Sequence, residues 1–161
     1  MDRKALQQQF ELELRQAVID YENGDTVALK DLKWGGPLHV AEATVNNYRA
    51  TEFWTDVIFT RAATVQVEKM YDYILKNLLN DTAAYHFRHI LETKAANISM
   101  VPDGGTNLID ILDDISPSFA TFQRRIAKRY VVVYKYYKGD NIALVTHIFH
   151  QTQDYGKLFQ N

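Results

Sequence analysis

The sequence predicts an α+β domain: a helix hairpin packed on a small, mostly antiparallel sheet, preceded by an extra amphipathic helix. Three observations predict it. Apolar residues recur at helical spacing over residues 3–22 and again in two runs beyond Arg61. Three β-branched and aromatic runs crowd the chain after residue 118. A short strand-like run, TDVIFT at 55–60, stands before the hairpin, so the order is strand, two helices, then a three-stranded meander.

Each element follows from local pattern. Leu6, Phe10, Leu14, Ala17, Val18 and Tyr21 form one stripe, and Asn23-Gly24-Asp25 supplies a helix stop and a turn. Gly35-Gly36-Pro37 then breaks regular structure, which sets residues 1–34 apart as a helical segment and 35–53 as a connector to a domain at 54–161. From Arg61 the stripe is Val67, Met70, Tyr71, Ile74 and Leu78, interrupted at Asn80-Asp81-Thr82. Asp81 is the expected N-cap of a second helix with Ala84, Phe87, Ile90, Leu91, Ala95 and Ile98 inward. Pro102 to Ser118 reads as a loop around LIDIL. Strands are expected at 119–126, 129–137 and 142–149, with Lys138-Gly139-Asp140-Asn141 as a hairpin turn.

Composition bounds the function. The chain has 161 residues, 47% hydrophobic and 24% charged, the proportions of an ordinary globular protein. It has no apolar run of about 18 residues, and its N-terminus is charged, so neither membrane spanning nor export is expected and a cytoplasmic location is. The absence of cysteine removes disulfides, thiolate zinc sites and cysteine nucleophiles together. The net charge of −2 hides an asymmetry: residues 1–54 carry 6 basic and 9 acidic side chains, residues 124–161 carry 7 and 2. The basic tail therefore suits either nucleic acid or the chain's own acidic N-terminus.

From Trp54 to Phe159 the sequence resembles the RelE/ParE superfamily of toxins from bacterial type II toxin–antitoxin systems. The fragment VIFTRAATVQVEKMYDYILKNLLNDTAAYHF is similar to the family's first strand and helix hairpin. RYVVVYKYYKGDNIALVTHIFHQTQDYGKLF is similar to its closing β-hairpin and its C-terminal His-x-x-x-Asp-Tyr signature, here His150, Asp154 and Tyr155. Residues 1–34, with QAVIDYENGDTVALKDLKW, resemble the toxin-binding segment of an antitoxin. The resemblance implies an antitoxin partner, in cis through residues 1–34, with Phe10, Leu14, Val18 and Tyr21 as contacts, in a natural or an engineered fusion. About 20 connector residues reach at most roughly 65 Å, enough to cross such a domain, and a tether keeps a short helix at an effective concentration of about millimolar. The alternative is a plain extra helix of the fold covering a sheet edge.

For many members the resemblance implies ribosome-dependent mRNA cleavage, in which a ribose 2′-OH attacks the adjacent phosphate without a metal or other cofactor. Such chemistry needs an acid, a base and cations near the phosphate. The candidates are Arg124, Arg125, His150, Asp154 and Tyr155 as catalytic residues, with Lys128 and Arg129 binding substrate. Strand alternation sends Arg124 and Arg125 to opposite faces, and likewise His147 and His150. A hydrogen bond from His150 to Asp154 that only fixes the C-terminal segment is the alternative role for that pair. Where the family often carries basic residues between its His and Asp, this chain has Gln151, Thr152 and Gln153, which leaves open a ParE-like toxin that binds DNA gyrase without cleaving RNA, or a silent relative. His86, His89 and Glu92 read as an exposed polar face rather than a metal site. Tyr130, Tyr134, Tyr136 and Tyr137 read as core or cross-strand aromatics before base-stacking ones.

Overall fold

A computed structural model describes residues 2–32 and 54–160; the connector expected at 35–53 lies outside them. Helix α1, Arg3–Glu22, coincides with the predicted stripe. The Asp2 carboxylate accepts the Ala5 amide at 2.8 Å and caps it. The helix stops where Gly24 takes φ +72°, a conformation with no Cβ penalty for glycine. Strand β1 is Thr26–Ala28, three residues whose sequence carries no alternation to announce it.

Strand β2, Asp56–Thr60, runs directly into α2, Arg61–Asp72, and the Thr60 hydroxyl caps the turn by accepting the Ala63 amide at 3.1 Å. The expected apolar stripe then breaks. Residues 73–77 form a π-helical turn in which the Leu78 amide reaches back to the Tyr73 carbonyl, so the extra residue rotates Leu78 off the stripe and leaves it 55% exposed. Helix α3, Asp81–Met100, is capped by Asn80, whose side chain accepts the Ala83 amide, and not by Asp81. The long loop holds β3, Thr106–Asn107, and two single 3₁₀ turns, Leu108–Asp110 and Pro117–Phe119. Phe119 closes the second of these, so β4 starts later than expected, at Phe122–Ala127. Strands β5, Tyr130–Tyr137, and β6, Ile142–His150, follow, and a 3₁₀ segment, Asp154–Phe159, ends the chain.

Among the described residues six strands form one sheet in the order β1-β2-β6-β5-β4-β3, with β2 and β6 parallel and every other pair antiparallel. This is the α+β, mostly antiparallel architecture read from the sequence. Both faces of the sheet are covered. Val57, Phe59, Val132, Tyr134, Val145 and Ile148 pack against α2 and α3. Phe122, Val131, Val133 and Phe149 pack against Leu6, Phe10 and Leu14 of α1, together with Leu108, Leu112 and Leu158. The N-terminal segment does more than cover one face. After α1 it turns the sheet edge as β1, which pairs antiparallel with β2, and Leu29 and Leu32 finish in the core on the hairpin side.

One irregularity decides what each face displays. Val133 pairs with His147 but Tyr134 pairs with Val145, so Thr146 is an extra residue in β6, a bulge, with its hydroxyl donating to the Val133 carbonyl at 3.3 Å. Val145 belongs to the hairpin side, and simple alternation would put His147 there too. The bulge turns His147 to the α1 side instead.

Candidate functional site

The site lies on the sheet face beneath α1. Phe10 is wholly buried, its ring 4.7 Å from the His147 ring, 5.1 Å from Tyr155 and 5.9 Å from Phe159. One turn on, the Glu13 carboxylate meets His147 Nε2 at 2.8 Å. A carboxylate only accepts, so Nε2 carries the proton, while Nδ1 faces the Thr146 hydroxyl at 3.0 Å. Arg3 anchors the start of the helix with two bonds of 2.9 Å to the carbonyls of Lys157 and Leu158. Gln7 donates to the Asp113 carbonyl at 2.6 Å, and Glu11 accepts the Ser116 amide at 3.4 Å. At the far end Tyr21 stacks on Tyr137, centroids 4.0 Å apart, and donates to Asp140 at 2.5 Å. An ion pair between Asp25 and Arg61 fastens the turn beyond. Of the predicted contacts, Phe10 and Leu14 are core, Val18 packs at its margin, and Tyr21 binds by stacking and hydrogen bonding.

The candidate catalytic residues do not converge. Arg124 pairs in register with Val133, which pairs with His147, so Arg124 and His147 share one row and one face, and the Arg124 guanidinium lies 6.0 Å from the Phe159 ring. Arg125 points to the hairpin side, where its Nε donates to the Tyr134 hydroxyl at 3.0 Å and its Nη2 to the Val101 carbonyl. His150 is also on the hairpin side, edge-on to Tyr130 at 5.2 Å, and Tyr130 packs on Phe87 of α3. The expected His150–Asp154 bond gives way to others: His150 Nδ1 contacts the Thr152 hydroxyl at 2.7 Å, and Asp154 pairs with Lys157 at 3.6 Å. Lys128, at φ +59°, and Arg129 form the exposed β4–β5 turn. Of the C-terminal signature, Tyr155 alone reaches the α1 face, 5.6 Å from the His147 ring.

The residues that do meet are Glu13, His147 and Tyr155, with Arg124 two strands away in the same row. Burial by itself would raise the Glu13 carboxyl, but the bond from His147, helped by Tyr155 and Gln9, outweighs it and holds the group below its ordinary value. The Tyr155 phenol is pushed well up by burial and then by the Glu13 carboxylate next to it. Its buried hydroxyl completes no hydrogen bond of good geometry, and neither does the buried Nε of Arg124. Lys135 is a further cation on this face, lying over the rings of Phe122 and Tyr137, with its ammonium pKa lowered by burial. Nothing in the periodicity marks Glu13 or Lys135, and alternation alone does not choose His147 over His150; the bulge at Thr146, which has no signature in the sequence, makes that choice. Elsewhere, Glu92 is 4% exposed and bonded to Arg88 at 2.8 Å, not part of an exposed face with His86 and His89. Among the described residues no group of three or more His, Asp or Glu is placed to hold a metal ion, and no helix is long and apolar enough to cross a membrane. Tyr134 is wholly buried core, as expected, its hydroxyl donating to the Pro102 carbonyl at 2.9 Å.

The arrangement combines an aromatic slot, a fixed imidazole and one nearby guanidinium on a surface that a single helix covers. No curated protein matches the chain. A family model described as the ParE toxin of the type II toxin–antitoxin system parDE matches residues 57–155, which is the stretch from β2 to Tyr155. The chain therefore belongs to the ParE toxin family of type II toxin–antitoxin systems.

Proposed function

We propose that this toxin acts by protein contact, as a ParE-like inhibitor of DNA gyrase, through the sheet face that α1 covers, and that residues 2–32 serve as an antitoxin-like cover in cis. The observation that carries the reading is the division of the candidate phosphate-directed groups. Arg125 and His150 lie on one side of the sheet, Arg124 and Tyr155 on the other, and Lys128 and Arg129 at a turn. What the α1 face offers instead is an aromatic slot of His147, Phe149, Tyr155 and Phe159, the sort of concave apolar surface that anchors an aromatic side chain of a protein. The path of residues 2–32 across one face, along the edge strand and into the opposite core supports the cover reading.

Ribosome-dependent mRNA cleavage is the second reading, and one observation favours it: Arg124, His147 and Tyr155 share the covered face, giving a cation, an imidazole and a phenol. The test compares the full chain with a variant whose cover is loosened by Phe10→Asp and Leu14→Asp. Expression of the variant arrests growth where the parent is tolerated. The purified variant inhibits gyrase supercoiling, and primer extension finds no new mRNA ends. New ends that vanish with His147→Gln, beside unimpaired supercoiling, reverse the order of the two readings.

A further inference from the structure

Glu13 sits on the sheet as a bound ligand would. Its carboxylate takes a hydrogen bond from a buried imidazole that is 3% exposed and braced from behind by Thr146, yet the Glu13 side chain itself stays 41% exposed. It stands at the wall of a cavity of about 730 Å³ between α1 and α2, lined also by Gln66, Met70, Phe149 and Tyr155. The receptor groups belong to the sheet and the C-terminal segment, whereas the carboxylate arrives on a separate helix beside Phe10. Positions 10 and 13 are three apart, so one helical face presents both side chains at once. The cover also leaves a donor unused, because the buried Arg124 Nε has no hydrogen-bond acceptor among the described residues while α1 is docked.

We propose that His147 and Tyr155 form a carboxylate-recognition site, and that with the adjoining aromatic slot they accept a helix of a partner protein carrying an aromatic residue and, three positions later, an acidic one. Helix α1 fills both positions in cis. The inference rests on the reading of this face as protein-binding, and it names the chemistry of what binds. A buried, preset imidazole donor is selective for an acceptor anion, and the slot that holds Phe10 supplies the apolar anchor. Arg124, in the same row, is placed to take a second acceptor that α1 does not bring.

Exchange of the helix tests this. The probe is a fluorescent peptide of residues 2–32, added to the full chain carrying a protease site within residues 36–45 and cut after folding, so that α1 stays docked but untethered. The labelled peptide exchanges in, and unlabelled peptides compete. A peptide with Glu13→Gln competes about tenfold more weakly than the native peptide, one with Phe10→Ala about a hundredfold more weakly, and one with Leu12→Ala, altered at a position 61% exposed, within about twofold. In a cut chain carrying His147→Gln the difference between the native and Glu13→Gln peptides disappears. The receptor folds with native α1 before exchange, so the peptide variants do not disturb it. Equal competition by the native and Glu13→Gln peptides overturns the site while leaving the gyrase reading standing, and a failed supercoiling assay leaves the exchange result standing. Displacement of the peptide by a ribo-oligonucleotide also overturns the inference, because it makes the anion a phosphate.

Discussion

The two faces of the sheet are both covered, but the contacts differ in kind. On the hairpin side Ala63, Val67, Ala84, Leu91 and Ala95 share one cluster with Val57, Val132, Val145 and Ile148, with Phe59, Tyr71, Phe87 and Tyr134 buried among them and no charged side chain in it. On the α1 side the central contact is Phe10 among three aromatic rings, bordered by Glu13 on His147 and by Arg3 on the C-terminal carbonyls. Helices α2 and α3 run out of β2 in one unbroken path, whereas α1 reaches the domain through the 33–53 stretch. A close-packed, wholly apolar face tolerates no exchange of its partner without a cavity. A single helix held by an aromatic anchor, its flanking Leu6, Leu14 and Ala17, and several addressable polar bonds is the kind of element that opens separately from the rest. On the proposed reading, one face makes the fold and the other makes an interface.

Changes to the anchor are expected to separate the faces most. Phe10→Ala removes the ring at the centre of the aromatic cluster and costs about 3–5 kcal/mol by the usual scale for buried Phe. Chemical denaturation then shows an early transition that reports α1 before the main one. If a single transition moves as a whole, the two faces are one cooperative unit and the contrast fails. Gly156→Ala comes next. An added Cβ there would collide with the Gln151 carbonyl oxygen, a backbone atom that cannot step aside, so the 154–159 segment must shift. A loss of about 1–3 kcal/mol is expected, together with weaker α1 protection, since Tyr155, Leu158 and Phe159 receive that helix; unchanged stability would show that the segment adjusts freely.

How far this was legible from sequence depends on the same contrast. The bounds of α1 stand out because a 3.6-residue stripe is framed by an Asn-Gly stop, and the hairpin and three late strands are equally periodic. β1 has three residues and no alternation, so pairing with β2 alone defines it. The π-helical turn at 73–77 misplaces Leu78 because nothing in a stripe announces an inserted residue. For the site, alternation correctly separates Arg124 from Arg125 and His147 from His150, but it cannot say which face a distant helix covers. The C-terminal signature drew attention to His150, while the bulge at Thr146 brought His147 under α1.

Glu13→Gln sharpens the comparison with a smaller effect. Because Glu13 is partly exposed, the charge-assisted bond to His147 is discounted to about 1 kcal/mol. Its folded pKa lies below the ordinary value of 4.5, so the bond's contribution is complete above that value and is lost as pH falls through the lowered one. Acid titration followed by an α1 reporter should show this loss in the parent and not in the Gln variant. Tyr21→Phe is the mildest change, about 0.5–1 kcal/mol for one hydrogen bond. Tyr21 is pushed up to about 12 by burial and by Asp140, so its contribution holds below pH 10 and fades as pH rises from 10 to 12. Alkaline fraying at residues 17–22 that persists unchanged in the Phe variant would remove Tyr21 from the account.

Hydrogen exchange of the native full chain tests most directly whether α1 lets go before the fold does. The amides of Leu14 and Ala17 in α1 are compared with those of Val67 in α2, Leu91 in α3 and Val133 in β5, all buried, over a series of low urea concentrations. The account predicts that the α1 amides exchange through an opening of lower free energy and weaker urea dependence, while the other three share the global value. A single free energy and a single urea slope for all five amides would contradict it.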